Sequence, residues 1–459
     1  MYFISLVLVA MAPWHAENPP YNLLSVKPLW LRRWFATLKG SRTPRPLSLV
    51  TLCAGLVLGS SLPIRAQALP SEPVTFGGGR VTIGGDASAT FGCTDSSTSV
   101  SRVCADDTGF FNYTDYSHST LRMVRVGITA SVRANDRLSI LGEIRSEDLG
   151  RLQPYALFVR VRPWRSRALD VQVGRVPPTF GAFARRTYAA DNVLIGYPMA
   201  YQYLTSLRPD ALPANADELL RMRGRGWLSS FSVGEVAAAH GLPLVSGFHW
   251  DTGVQLHAAT QAIDAAVAVT TGSLANPLLR DDNAGKQVAG RLALTPAAGL
   301  ILGMSAARGP YLTRDATRSA GAEQPNGQFT QTAFGWDLEY SRQYYLVRLE
   351  TIVSDWRLPL VRTPEIRLPL RATSMLVEGR YKIRPGLYAA ARFDHLGFSE
   401  VTGTARTAEW EAPVSRVEVG GGYSLLHNLL LKASFQHNTR QGGRTTDLDV
   451  GAAQLVFWF

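Results

Sequence analysis

Charged side chains at alternate positions are the residues here whose types and spacing could do chemistry. Arg125 and Arg133 share one face of 124–133 with Thr129 and Ser131, while Val124, Val126, Ile128, Ala130 and Val132 take the other. The same alternation sets Glu143 and Arg145 against Ile140 and Ile144, Asp337 and Glu339 against Trp336 and Leu338, and Arg416 and Glu418 against Val417 and Val419. Arg160, Arg348, Glu350, Arg380, Lys382, Arg392 and Lys432 fall on the charged face by the same parity. Groups of both signs on one face of successive strands hold and steer ions; they do not make or break bonds. Bond-making signatures are missing from the sequence: there is no G-x-S-x-G elbow and no H-E-x-x-H. His240, His249 and His257, spaced by 9 and 8, read as scattered polar-face histidines, so neither metal nor cofactor is expected.

The elements that must carry these faces repeat with period two along most of the chain. Strands are expected near 74–90, 121–133, 136–147, 153–162, 166–176, 250–260, 262–272, 287–295, 299–308, 329–341, 343–354, 372–382, 386–397, 413–424, 427–437 and 447–459. Their joins alternate. "RAND", "PWRS", "TQA", "TPAAG", "SRQ", "IRPG" and "LLHN" are tight turns, while 91–120, 177–249, 273–286, 309–328, 355–371 and 398–412 are long and polar. Strands of about ten residues, apolar on one face and charged on the other, with short turns at one end and long loops at the other, describe an all-β transmembrane antiparallel barrel. The strand count is about 16; a hairpin hidden in 177–249 would raise it to 18. Aromatics near the tight turns (Trp164, Tyr340, Tyr344, Tyr345, Tyr381, Tyr388 and Tyr423) are expected to form a girdle at the membrane boundary.

Lysine and arginine number 47 against 36 acids. Residues 1–68 hold seven of the basic groups and one acid, leaving 40 against 35, so bulk charge gives little reason to expect nucleic-acid binding. Residues 1–40 read as a non-structural extension. Residues 41–68 have the layout of a signal peptide: Arg42 and Arg45, an apolar run from Leu47 to Leu62, and a small-x-small end at Ala66–Ala68. The barrel is expected to fill 69–459. Cys93 and Cys104, the two cysteines beyond that leader, are expected to form a disulfide in an oxidising compartment.

The chain ends "AAQLVFWF", with Gly451, Ala453, Leu455, Phe457 and Phe459 on one apolar face. This resembles the terminal signal read by the outer-membrane assembly machinery of Gram-negative bacteria. "LDVQVGRVPPTFGAF" and "LYAAARFDHLGFSE" resemble elements of the bacterial outer-membrane porin superfamily, and within it the phosphate-selective porins. The resemblance implies a passive channel for small hydrophilic solutes, set among outer-membrane lipid and lipopolysaccharide, and a possible homotrimer. It also implies that 177–249, the third join on the long-loop side (the second, 148–152, is short), narrows the pore. Arg185, Arg186, Arg208, Arg221, Arg223 and Arg225 are its constriction candidates. Arg125, Arg145, Arg348, Arg380, Arg392, Arg416, Glu339 and Glu350 are expected on the lumen wall, where basic groups in excess give a mild anion preference. A barrel enzyme of phospholipase or protease type, or a surface adhesin or receptor, is the competing expectation.

Overall fold

The computed structural model describes residues 72–95, 124–147, 149–164, 168–183, 186–247, 250–283, 285–321, 329–366 and 368–459. The expected extension and leader, 1–68, lie outside them, as do Arg185, His249 and Cys104.

Sixteen long strands follow one another around a closed ring. They are β1 (Val81–Asp95), β2 (Val124–Arg133), β3 (Leu138–Glu147), β4 (Gln153–Val161), β5 (Leu169–Val176) and β6 (Asp251–Ala259). Then come β7 (Ile263–Thr270), β8 (Gln287–Ala297), β9 (Leu300–Pro310), β10 (Thr330–Arg342) and β11 (Tyr345–Trp356). The last five are β12 (Leu370–Arg384), β13 (Leu387–Phe398), β14 (Val414–Leu426), β15 (Leu429–Arg440) and β16 (Asp447–Trp458). Every neighbouring pair is antiparallel, and β1 pairs with both β2 and β16, so the ring closes. The final residue takes part in closure: Phe459 N–H donates to Gly85 O at 2.9 Å and receives Gly85 N–H at 3.0 Å. A Cβ at Gly85 would sit 2.7 Å from the Phe459 ring, so any larger residue there would displace that ring.

Closure satisfies the backbone, and the alternation then sorts the side chains. Val267, Met304 and Trp336 point outward and are each about half exposed (53, 54 and 52%). Arg392, Arg416 and Glu418 point inward and are 2, 0 and 0% exposed. An apolar outer band over a closed sheet is the surface a bilayer core requires. No described helix is long and apolar enough to cross a membrane.

Fifteen of the expected strands correspond to ring strands, and the count of 16 holds. The first differs. Gly77, Gly78 and Gly79 take φ of 59, 65 and 81°, which only glycine adopts freely, and break 74–90 into Val74–Phe76 and β1. The 18-strand alternative fails because 177–249 contributes no ring strand. Of the expected girdle, Trp164, Tyr344, Tyr345, Tyr381 and Tyr423 are 40–58% exposed near the tight turns. Tyr388 instead points inward, its hydroxyl donating to Val193 O at 2.9 Å.

Candidate functional site

The join between β5 and β6 divides into two parts. Thr205 N–H donates to Leu242 O at 2.9 Å, closing 205–242 into a lobe and leaving 179–204 as a separate stretch. That stretch crosses the inside of the ring, because its partners stand all around it. Gly181 N–H donates to Ser305 Oγ on β9 (3.1 Å) and Ala182 N–H to Glu350 Oε1 on β11 (2.8 Å). Tyr188 hydroxyl donates to Glu143 Oε2 on β3 (2.6 Å), and Tyr197 hydroxyl accepts from Arg125 Nη1 on β2 (2.7 Å). The apolar members, including Phe180, Phe183, Ile195, Met199, Tyr201 and Tyr203, pack with Ala289, Ala307, Ala333 and Ile352 of the wall. A one-turn helix, α1 (Met199–Gln202), lies within it and is fully buried.

Charge on the facing wall is organised as a belt. Glu339, Arg348, Glu378, Arg392 and Glu418 occupy register-paired positions on β10 to β14. Arg348 Nε meets Glu339 at 2.8 Å and its Nη1 meets Glu378 at 2.9 Å; Arg392 meets Glu378 at 2.5 Å and Glu418 at 3.3 Å. Arg416 pairs with Asp394 at 2.7 Å. Neutralised in this way, the belt also holds the crossing stretch. Arg392 donates to Gly196 O (2.5 Å) and Asn192 Oδ1 (2.8 Å), Arg416 to Tyr197 O, and Lys432 Nζ to Asn192 O (2.7 Å) and Ala189 O. Glu418 accepts from Gly196 N–H at 3.0 Å. Burial raises the Tyr188 and Tyr201 hydroxyls well above their ordinary pKa; the carboxylates of Glu143 and Glu350 push them the same way, so both remain donors.

Among the expected constriction residues, Arg186 faces the wall: it pairs with Glu339 at 2.7 Å and lines a gap with Arg348, Glu350 and Glu378. The other described candidates belong to the lobe. Arg208 is fully buried, donating to Asp210 and to the carbonyls of Ser229 and Ala237, so it braces the lobe and reaches no lumen. Arg223 pairs with Glu409 at 3.1 Å, and Arg221 and Arg225 are exposed on the lobe surface. The physical reason is local. Residues 205–242 fold back over a short helix, α2 (Ala216–Arg221), capped by Asn215, and dock on the neighbouring loops. One such contact is Glu411, buried between β13 and β14, which accepts from Ser206 N–H (2.7 Å), Gly224 N–H (2.5 Å) and Ala412 N–H (2.8 Å).

The expected lumen-wall residues Arg125, Arg145, Arg348, Arg380, Arg392, Arg416, Glu339 and Glu350 all face inward, but several of them are shut off from water. Arg125, Arg145, Arg392, Arg416 and Glu350 are buried because the crossing stretch covers them. Arg145, for example, pairs with Glu143 and lies 3.4 Å above the Tyr155 ring. Asn192, Gln202 and Glu411 were not legible as site residues, since they lie outside the alternating strands. Cys93 is disulfide-bonded. No group of metal-ligating residues occurs among the described residues.

No family model and no curated protein matches this chain. Among solved structures, OmpT of Vibrio cholerae is similar at 11% identity and TM-score 0.49, over 86% of this chain and 100% of that one. The anion-selective porin from Comamonas acidovorans is similar at 9% and 0.48, over 83% and 99%. Salmonella typhi OmpF, in complex with daunomycin, is similar at 12% and 0.47, over 84% and 100%. At these scores the likenesses carry no argument, and the barrel stands on its own hydrogen-bond register.

Proposed function

We propose that this protein is an outer-membrane porin: a passive channel for small hydrophilic solutes with a mild preference for anions, exported behind a cleaved leader. One observation carries the reading: the sheet closes with an apolar outer face and a charged inner face. Sixteen strands enclose more width than side chains alone fill, and here one internal stretch occupies the middle. The gap lined by Arg186, Glu339, Arg348 and Glu350 is where a narrowed path would run. The narrower, phosphate-selective resemblance rests on 169–183 and 387–400 alone; the wall cations alternate with acids, and they form no uninterrupted ladder. A disulfide between Cys93 and Cys104, and assembly as a homotrimer, belong to the same reading.

The experiment is reconstitution of the refolded protein in a planar bilayer. Discrete conductance steps with a small anion-favouring reversal potential in a salt gradient are expected. A folded, heat-modifiable barrel that never conducts would overturn the proposal.

One observation favours the enzymatic alternative. On the outer face His395 Nδ1 and Ser415 Oγ are 2.8 Å apart, at the long-loop ends of β13 and β14. No carboxylate orients that histidine among the described residues, which is what a serine nucleophile would require, so the channel reading comes first. Labelling of Ser415 by a serine-reactive organophosphate would reverse that order.

A further inference from the structure

The inner wall carries a second group of cations, and they are arranged differently from the belt. Arg133 and Arg160 both have Ser139 as their register partner, one on each side of it, so three adjacent inward positions on β2, β3 and β4 read Arg-Ser-Arg. The two arginine backbones are therefore about 10 Å apart, two strand spacings. Across the ring, Arg380 and Lys382 point inward on β12, six to eight strands away from β2–β4 in a closed set of sixteen. All four residues stand within a few positions of a tight turn; Arg133 and Lys382 are exposed, and Val193 and Leu194 of the crossing stretch pack against Leu346 and Ala390, the register partners of Arg380.

None of the four has an acidic partner among the described residues. Arg380 lies 5.8 Å from the Tyr388 ring centroid, a contact that leaves its charge uncompensated. The acids nearby are already engaged. Asp170 pairs with Arg162 at 2.8 Å, Asp264 is hydrogen-bonded to His257 at 3.0 Å, and Glu339 holds Arg348 and Arg186. Asp136 stands in the exposed turn beyond the strand ends. In the same layer, Gln172 and Gln255 continue the row from Arg160, each with a buried carbonyl oxygen that accepts no hydrogen bond.

The geometry points to an anion-binding vestibule at the tight-turn end of the lumen, formed by Arg133, Arg160, Arg380 and Lys382, with small polyanions such as sulfonates, phosphates or carboxylates as its ligands. Opposed, uncompensated cations on two walls concentrate anions between them, and low-dielectric walls strengthen the effect. This deepens the proposed channel function and rests on it for transport. It places the charge preference in the vestibule and removes it from the belt and from the lobe arginines.

Two readouts keep the vestibule and the channel separable. The full chain is refolded in detergent and titrated at low salt with the fluorescent tetra-anion pyrenetetrasulfonate. The quadruple variant R133Q/R160Q/R380Q/K382Q, the single variant K382Q and the lobe variant R221Q/R225Q are titrated alongside, each checked for heat-modifiable mobility. The wild type and R221Q/R225Q are expected to bind alike, K382Q more weakly, and the quadruple variant at least about tenfold more weakly. Reversal potentials in a salt gradient should move from anion-favouring towards zero in the quadruple variant only. Wild-type dye binding and reversal potential in the quadruple variant would overturn the inference, and so would absence of dye binding by the wild type. Failure to conduct with dye binding intact would overturn the channel reading and leave the vestibule standing.

Discussion

The middle of the lumen and its tight-turn end are built from the same residue types and use them in opposite ways. At mid-height Arg348, Arg392 and Arg416 each meet a carboxylate, and Arg392 and Arg416 also bind the carbonyls of Gly196 and Tyr197; Lys432, nearer the tight turns, binds those of Ala189, Asn192 and Leu194. At the tight-turn end Arg133, Arg160 and Lys382 meet neither and are open to solvent or nearly so. Arginine presents five donors in a fixed fork, so one guanidinium can neutralise a carboxylate and still satisfy a carbonyl. Buried cations are thus the mortar between wall and internal chain, while solvated ones remain free to act on solutes. Counting arginines on the inner face does not reveal selectivity; their partners do.

The sharpest way to break that comparison is to remove the mortar. Arg392→Met combined with Arg416→Met leaves Glu378, Glu418 and Asp394 buried with less compensation and frees the carbonyls of Gly196 and Tyr197. Removing one partner of a buried pair costs about 3–5 kcal/mol. Because the ring keeps its own backbone ladder, the loss should fall on the crossing stretch. Rapid tryptic cleavage within 177–250 and a large rise in single-channel conductance are expected. Unchanged cleavage and conductance would show that the apolar packing of Phe180, Tyr201 and Tyr203 suffices.

A smaller effect is expected from the lobe. Deleting 206–240 is geometrically feasible because the Thr205–Leu242 hydrogen bond holds the cut ends together. It removes Arg208, Arg221, Arg223 and Arg225 but leaves 179–204 crossing the lumen. Conductance should rise by less than in the double arginine variant, with the reversal potential unchanged. A rise that matches the double variant would mean that the lobe, and not the crossing stretch, sets the resistance.

Period-two alternation was enough to find the ring because every strand buries one face and exposes the other, whichever face is apolar. Arg125, Arg348, Arg392 and Glu350, which share the charged parity, lie on the inner face. Arg175 falls on the apolar parity of β5, where its guanidinium satisfies the carbonyls of Trp250 and Pro154 beside the register shift at Glu143/Ile144. What alternation could not carry was the interior of 177–249, where there is no repeat to read. Phe180, Tyr197 and Tyr201 are large aromatic side chains, and they pack inside. The arginines gave no such signal: Arg186 and Arg208 look alike in sequence, yet one faces the wall and the other is enclosed by Asp210, Ser229 and Ala237. Nor did any periodic pattern mark Glu411, because its three partners come from backbone N–H groups of 206, 224 and 412.

Glu411 supplies the smallest and most conditional of the expected effects. Burial raises its pKa above the ordinary carboxyl value, and the three N–H donors offset this only in part. A carboxyl whose folded pKa is raised favours the folded form while protonated. Its contribution to lobe docking is therefore fully present below the unfolded pKa and is lost as pH rises through the folded one. Lobe docking should loosen on passing from acid towards neutral pH, read as faster proteolysis at the exposed Arg221 and Arg225 with no change in the barrel's heat-modifiable mobility. Glu411→Gln keeps a carbonyl acceptor and cannot ionise, so its cleavage rate should be flat over the same range. If the wild type is also flat, the backbone donors fully compensate the buried charge, and the lobe is held by Arg223–Glu409, Asp217–Thr404 and apolar packing around Trp410.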